Sequence, residues 1–456
     1  MSQPQHQPAP RTKTLIVGLG KTGLSCARYL AARGERVAVT DSRAEPPGLT
    51  ALRAELPDVA LFLGGFERAV FESADLLVVS PGVPVATPEI RAAQARGIPV
   101  VGDIELFARA AEAAGVPVAA ITGSNGKSTV TTLLGDMARA AGRRVAVGGN
   151  LGEPALDLLA EDRDLYVLEV SSFQLETTAS LHPAVAAVLN LSPDHMDRYP
   201  DVAAYAAAKA RLLHGAGTAV LNADDPQVLA MPGGDARWYF TLGEPRGADW
   251  FGIRKSAGET WLCRGDEALL RAVEIRIPGS HNLANVLAAL AMGEALGLPR
   301  EAMLAAVRAF RGLPHRTEFV ADKGGVAWYN DSKGTNLGAC VAALEGLHDD
   351  TAARTVLIAG GDCKGADFSE LAPVAKRCAR AVVLIGRDAP DLERVLQGVA
   401  PLARAADMAE AVQLALRLAR PGDRVLLSPA CASFDMFRNY KHRGDVFMAA
   451  VRGLAE

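Results

Sequence analysis

At 456 residues the chain has room for two to four domains of about 100–200 residues each, and its 49% hydrophobic and 22% charged residues are far from a disordered composition. A formal net charge of −4, with no basic block, leaves no electrostatic footprint for nucleic acid. The six cysteines form no Cys-x-x-Cys pair, so neither a zinc ribbon nor a redox dithiol is indicated, and no apolar run approaches the ~18 residues of a membrane span. Met1 to Pro10, rich in Gln and Pro and lacking an apolar leader core, reads as a short disordered tail on a cytoplasmic protein.

The first strand, Thr14 to Val17, runs into Gly18-Leu-Gly20-Lys-Thr-Gly23 and a helical pattern from Leu24 to Arg33. This is Gly-x-Gly-x-x-Gly in the strand-turn-helix context that the motif requires. A second strand, Arg36 to Thr40, ends at Asp41, near the place of a ribose-binding acid. The glycines fit a tight turn against an anionic or sugar-phosphate ligand without specifying adenine or nicotinamide. Asp75 to Val79 is a further buried strand, ending in Ser80-Pro-Gly-Val83, and Val100 to Asp103 closes the unit near residue 105.

After the apolar run Val116 to Ile121 comes Thr122-Gly-Ser-Asn-Gly-Lys-Ser-Thr129 and a helix-like segment from Val130 to Ala141. Glycines lacking a Cβ let backbone N–H groups converge on phosphate oxygens, Lys127 supplies a point charge, and the hydroxyl of Ser128 or Thr129 can reach magnesium. The common P-loop would place glycine at 121, where this chain has isoleucine, so the loop belongs to a narrower class. Leu165 to Glu169 puts a carboxylate at the end of an apolar strand, a natural magnesium ligand beside such a loop. Val185 to Leu189 delivers Asp194-His-Met-Asp-Arg-Tyr199, in which His195 is open to three roles: metal ligand, general base or capped loop histidine. Lys209, in the alanine-rich helix Val202 to His214, reads by itself as a solvated cation. The stretch through Arg276 reads as a small β-rich insertion. Asn282 and Asn285 open the helix that follows, where an amide can cap the helix or bond a base.

Gly312-Leu-Pro-His-Arg316 reads as a hinge, and a third unit again alternates strands (355–359, 381–385, 424–427) with helices. Asp331, Lys333 and Thr335 cluster in one polar loop, Lys364 sits in a second, and Ser433 and Phe434 sit in a third.

Taken together, Thr-Gly-Ser-Asn-Gly-Lys-Ser-Thr (122–129), Leu-Glu-Val-Ser-Ser-Phe-Gln-Leu-Glu (168–176), Asp-His-Met-Asp-Arg-Tyr (194–199), Gly-Leu-Pro-His-Arg (312–316) and Asn-Asp-Ser-Lys-Gly-Thr-Asn (330–336) resemble the Mur ligase family. These are ATP-dependent amide ligases that build the peptide of the bacterial cell-wall precursor. The first-domain glycine motif and Ser-Pro-Ala-Cys-Ala-Ser-Phe-Asp (428–435) are similar to its D-glutamate-adding branch. The resemblance implies an α/β protein of three domains: a Rossmann-like UDP-substrate domain (1–105), a central P-loop ATPase-like domain (106–313) and a Rossmann-like amino-acid-binding domain (314–456).

It also implies residue roles. Gly123, Ser124, Asn125, Gly126, Lys127, Ser128 and Thr129, with Asn282, Arg316 and Asp331, would hold ATP. Ser128, Glu169, His195 and a carbamylated Lys209 would hold Mg2+, expected as two ions, and Lys127, Glu169, His195 and Lys209 would be catalytic. Lys21, Thr22, Asp41, Ser42, Arg43, Gly82 and Asn150 would receive the UDP-substrate, UDP-N-acetylmuramoyl-L-alanine. Lys333, Thr335, Lys364, Ser433 and Phe434 would receive D-glutamate. Lys21 departs from a relative's leucine, and Tyr440 from a phenylalanine. The implied reaction passes through an acyl phosphate, completed by closure near residues 105 and 313, in a monomer. An NAD-linked dehydrogenase built on Gly18 to Asp41 would leave the 123–129 loop unexplained, and a non-catalytic nucleotide sensor would not need Glu169, His195 and Lys209.

Overall fold

The computed structural model describes residues 12–256, 258–348, 352–363 and 365–454, so the N-terminal tail and Lys364 lie outside the described residues. Three sheets follow one another along the chain. The first holds β1 (Lys13–Val17), β2 (Arg36–Asp41), β3 (Ala60–Leu63), β4 (Leu76–Val79) and β5 (Val100–Val101), all parallel, in the order β3-β2-β1-β4-β5. Chain direction reverses across the sheet between β1 and β4, and ligands of open α/β sheets bind beyond the carboxyl ends at such a point. Gly18 there has a φ of +94°, and a Cβ on Gly23 would collide with the Gly18 carbonyl oxygen, so both glycines are sterically required.

The central sheet holds β6 (Val118–Thr122), β7 (Val145–Gly149), β8 (Leu165–Glu169), β9 (Val185–Val188), β10 (Thr218–Asn222), β11 (Ala236–Phe240), β12 (Trp250–Ser256), β13 (Glu259–Arg264) and β14 (Glu267–Arg271). Its order is β14-β13-β12-β11-β10-β9-β6-β8-β7. The stretch expected as an insertion instead extends this sheet: β11 pairs parallel to β10, and β12 to β14 add an antiparallel edge. The reason is a shared core, because Phe240 and Phe251 pack in one cluster with Val286, Leu287 and Leu290 of helix Ser280–Ala295.

The third sheet holds β15 (Glu318–Lys323), β16 (Val326–Asn330), β17 (Thr355–Gly360), β18 (Ala379–Ile385), β19 (Leu402–Arg404) and β20 (Arg424–Leu427), in the order β15-β16-β20-β17-β18-β19. Among the described strands of this sheet, only the β15–β16 pair is antiparallel. Residue 105 does not fall in a linker. It lies in the first turn of helix Asp103–Ala114, whose Ile104 and Phe107 join a core containing both Ile16 of the first sheet and Leu168 of the second.

Candidate active site

Strand β6 is buried throughout, and Ile121 is inside it, paired with Glu169 of β8 and Ala187 of β9. The glycine missing from the common P-loop is therefore a strand position with no turn to make. The turn is made by Gly123 (φ +149°) and Gly126 (φ +83°), and Gly126 directly precedes helix Lys127–Ala140. Asn190, after β9, braces the loop: its Oδ1 accepts from Asn125 N at 2.8 Å and its Nδ2 donates to Asn125 O at 3.1 Å.

Glu169 is buried at the end of β8, and its two oxygens face different partners. Oε1 accepts from Asn150 Nδ2 at 2.6 Å, and Oε2 accepts from Ser128 Oγ at 2.5 Å. Ser128 Oγ in turn accepts from an Arg316 guanidinium nitrogen at 2.6 Å. One line of hydrogen bonds thus runs from the strand ends through the phosphate loop into the third unit.

Lys127 folds back on its own loop, donating to the carbonyls of Gly123 and Ser124 at 2.8 Å each. Desolvation pulls its ammonium below the ordinary value; Glu169 and Asp194 oppose this and Arg316 adds to it. Lys209 is the clearest departure from its bottom-up reading. It is no solvated cation: it is 1% exposed, donates to Gly123 O at 2.8 Å and lies 4.5 Å from the centre of the Tyr205 ring. Burial, then the nearby Lys127, push its amine well below the usual lysine range, with Asp194 and Glu169 pulling back. His195 adopts a φ of 58° and stands 4.7 Å from Phe173, ring to ring. Desolvation lowers its imidazole, against the pull of Asp194.

Two cavities flank this line. Every residue assigned by resemblance to the UDP-substrate, from Lys21 to Asn150, lines the first, of about 560 Å³, between the first and central sheets. Lys21 Nζ crosses it to donate to Gly152 O at 2.6 Å. Asp41 is engaged within the protein, accepting from Leu19 N at 2.7 Å and from the Arg43 side chain at 2.8 and 2.7 Å. The Arg43 guanidinium therefore stands beside the cavity already paired with a carboxylate.

The second cavity, of about 310 Å³, lies between the central and third units. Asn125, Thr129, Asn282, Arg316 and Asp331 line it; Gly123, Ser124, Gly126, Lys127 and Ser128 form the loop without belonging to that lining. Asn282 donates to Pro278 O at 2.7 Å and accepts from Asn285 Nδ2 at 3.1 Å, so its amide braces the helix start. Asp331 accepts from Ser428 Oγ at 2.7 Å and Thr317 N at 3.1 Å, while burial pushes its carboxyl up to about 6. Lys333 lines this same cavity and lies 4.4 Å from the centre of the Tyr440 ring. Burial, then Arg316 and Lys127, bring its amine down to about 8. Thr335, Ser433 and Phe434 line neither cavity; Ser433 is buried and Phe434 is 71% exposed on the loop after β20.

Sequence reasoning missed Asn336. Its Nδ2 donates to Asp194 Oδ2 at 3.0 Å, and its Oδ1 caps helix Leu337–Gly346 by accepting from Ala339 N at 2.8 Å. An asparagine ahead of an apolar run is a helix-start signal that would have flagged it.

Three family models match the chain in tandem. They are described as Mur ligase MurD-like, N-terminal domain (residues 12–102), Mur ligase middle domain (121–293) and Mur ligase, glutamate ligase domain (315–431). The chain belongs to the Mur ligase family. Among curated relatives, the UDP-N-acetylmuramoylalanine–D-glutamate ligase of Nitrosococcus oceani is 58% identical over 448 residues, covering 98% of each chain. The ligase of the same name from Marinobacter nauticus is 55% identical over 443 residues, covering 97% of this chain and 98% of its own. Among solved structures, the UDP-N-acetylmuramate-alanine ligase of Thermotoga maritima shares the fold, with a TM-score of 0.60 at 17% identity over 97% of this chain and 99% of that one. A pseudomurein peptide ligase type C from Methanothermus fervidus does so with a TM-score of 0.59 at 18% identity over 91% of this chain and 96% of that one.

In this Mur ligase the donor set can be weighed against a magnesium ion. Among the described residues no group of three or more His, Cys, Asp or Glu stands together as a metal site. The Ser128 hydroxyl and Glu169 carboxylate, 2.5 Å apart, are the hard oxygen donors that Mg2+ favours. The free Lys209 amine, buried and donating to the Gly123 carbonyl, does not itself suit a cation. None of the described helices is long and apolar enough to cross a membrane.

Proposed function

We propose that this Mur ligase joins D-glutamate to the alanyl carboxylate of UDP-N-acetylmuramoyl-L-alanine, converting ATP to ADP and phosphate, in peptidoglycan precursor synthesis. The observation that carries this reading is the line Asn150–Glu169–Ser128–Arg316, which connects the 560 Å³ cavity at one end to the 310 Å³ cavity at the other. A sugar-nucleotide carboxylate entering from one side and a triphosphate from the other would meet at Glu169 and the phosphate loop. The names carried by curated relatives of nearly the same length support the choice of substrates.

The chain's groups suit such a meeting. Lys127 lowers the amines of Lys209 and Lys333, and the Arg316 charge lowers those of Lys127 and Lys333, while Glu169 and Asp194 pull all three back up. A cluster this positive is costly when empty and favourable around a triphosphate. In the first step the alanyl carboxylate oxygen attacks the γ-phosphorus and the bond to the ADP oxygen breaks. In the second the D-glutamate amine attacks the acyl carbonyl, loses its proton and expels phosphate. Lys127, freed from its own loop carbonyls, reaches the transferring group, and Arg316 fixes Ser128 beside it.

Ser128, Glu169, His195 and a carbamylated Lys209 would hold Mg2+, with two ions in the complete site. Bound there, the metal neutralises charge on the phosphate oxygens. The depressed Lys209 amine adds to CO2, forming an N–C bond and releasing one proton. Lys333, Thr335, Ser433 and Phe434, with Lys364, would take D-glutamate. The enzyme is expected to work as a cytoplasmic monomer.

The test is phosphate release in the presence of ATP, Mg2+ and UDP-N-acetylmuramoyl-L-alanine with D-glutamate, L-glutamate, L-lysine or diaminopimelate. Release with D-glutamate alone is expected. Release with another amino acid but not D-glutamate would move the enzyme within its family, and tight NAD binding without ATP turnover would defeat the reading.

A further inference from the structure

The cavity read as the nucleotide site is roofed by the third unit. Helix Leu337–Gly346 packs across helix Ser280–Ala295 and presents Gly338, Ala339, Ala342 and Ala343 to the cavity. Its N-terminal end is tied down by Asn336, which reaches Asp194 at 3.0 Å and Asn125 at 3.5 Å.

The other end meets a different device. The His281 ring is wedged between two glycines from different units: a Cβ on Gly346 would lie 2.5 Å from its Nδ1, and a Cβ on Gly279 would lie 2.6 Å from its Cε1. Gly279 has a φ of +103° and needs glycine for its backbone alone. Gly346 does not. It ends an α-helix with an ordinary φ, where alanine would favour the helix by about 1 kcal/mol. What stands against a side chain at Gly346 is chiefly the ring, with Gly279 Cα next at 3.2 Å. His281 Nδ1 is buried without a hydrogen-bond partner, and burial brings the imidazole down to about 4 despite a backbone hydrogen bond at Ala342, so the wedge is uncharged at neutral pH.

We propose that His281 is a positioning residue whose ring, seated against Gly346, sets how closely helix Leu337–Gly346 covers the nucleotide cavity. With one end of the helix held by Asn336, the depth of this socket fixes the other end and the fit around ATP. The inference rests on reading that cavity as the ATP site.

The experiment measures ATP dissociation constants, the KM for each substrate and Tm for the wild type, Gly346→Ala, His281→Ala and the double variant. Gly346→Ala overpacks the socket and is expected to weaken ATP by ~10-fold, with little change in the KM for UDP-N-acetylmuramoyl-L-alanine and a modest fall in Tm that the double variant reverses. In the double variant the added methyl occupies the space the ring leaves, and ATP affinity returns to within ~3-fold of the wild type. His281 itself lines the cavity, so His281→Ala removes both the seat and part of the cavity wall and is expected to weaken ATP by several-fold, which leaves the double variant as the deciding comparison. The inference is overturned by unchanged ATP affinity in both single variants, by a double variant no better than Gly346→Ala, or by equal effects on both substrates. A wild type that turns over without binding ATP would instead remove the reading beneath it.

Discussion

Lys209 shows how much one buried side chain decides. An amine that is almost unexposed, and that already neighbours Lys127, is held toward its neutral form, which is the form that adds to CO2. Replacing it with alanine removes both the amine and any carbamate made from it. Lys209→Ala is expected to lose on the order of 10²-fold or more in kcat, consistent with several kcal/mol of lost charge stabilisation. Added formate or acetate should restore part of the rate by lending an oxygen ligand; full activity without rescue would rule out the carbamate. Asp103 argues the same physics in stability. Burial raises its carboxyl from 3.8 to about 6, although Gln174 Nε2 donates to it at 2.8 Å. Because the folded value lies above the unfolded one, the group's contribution is full below about pH 4 and is lost as pH rises through about 6. The difference in unfolding free energy between wild type and Asp103→Asn should therefore fall by up to roughly 3 kcal/mol between pH 4 and pH 7. Denaturant titrations at several pH values would show this, and a difference that is flat with pH would count against it.

At the scale of elements, the phosphate loop depends on the turn that opens helix Lys127–Ala140. A Cβ on Gly126 would force an L-residue into the left-handed region and collide with Asn285 Oδ1. Gly126→Ala is expected to cost ~1–2 kcal/mol in backbone strain and more than ~10-fold in ATP affinity, with helix content by circular dichroism unchanged. The elements themselves were largely legible, because parallel strands buried on both faces read as apolar runs ending at polar loops. Leu165–Glu169 and Arg424–Leu427 span the same residues in sequence reading and structure. Side-chain placement was less legible. The helix carrying Lys209 is alanine-rich, so no polar stripe indicates which way the lysine points. The bonds of Ser128 to Arg316 and of Asn336 to Asp194 join residues far apart in the chain, which local pattern cannot pair. The β11–β14 edge was misread because alternation identifies a strand but not the sheet it joins.

For the whole molecule, three sheets suggest three bodies, yet the cores do not divide that way. One hydrophobic cluster runs from Ile16 and Leu24 through Phe107 to Leu168 and Leu213, so the first and central units share an interior. Polar contacts reinforce it: buried Glu105 accepts from Ala179 N at 2.7 Å, Ser180 N at 2.9 Å and Ser180 Oγ at 2.8 Å, and Arg198 reaches back to Pro81 O at 2.7 Å. The clusters of the third unit, by contrast, contain only residues from Val320 onward. Its described links to the rest include Arg316 to Ser128 and Asn336 to Asp194, bonds that water can replace at modest cost. Movement near residue 105 would have to tear helix Asp103–Ala114 out of that shared core, whereas movement near 313 bends the short non-helical segment between Phe310 and Glu318 and slides helix Leu337–Gly346 off helix Ser280–Ala295. The third unit is therefore expected to swing as one body against a rigid pair formed by the first two. Limited proteolysis should cut first between about 310 and 318, more slowly with ATP and Mg2+ present, and leave an N-terminal fragment holding both of the first two units. Early cleavage between 103 and 115, or insensitivity of the 310–318 cut to nucleotide, would show that the three units move independently.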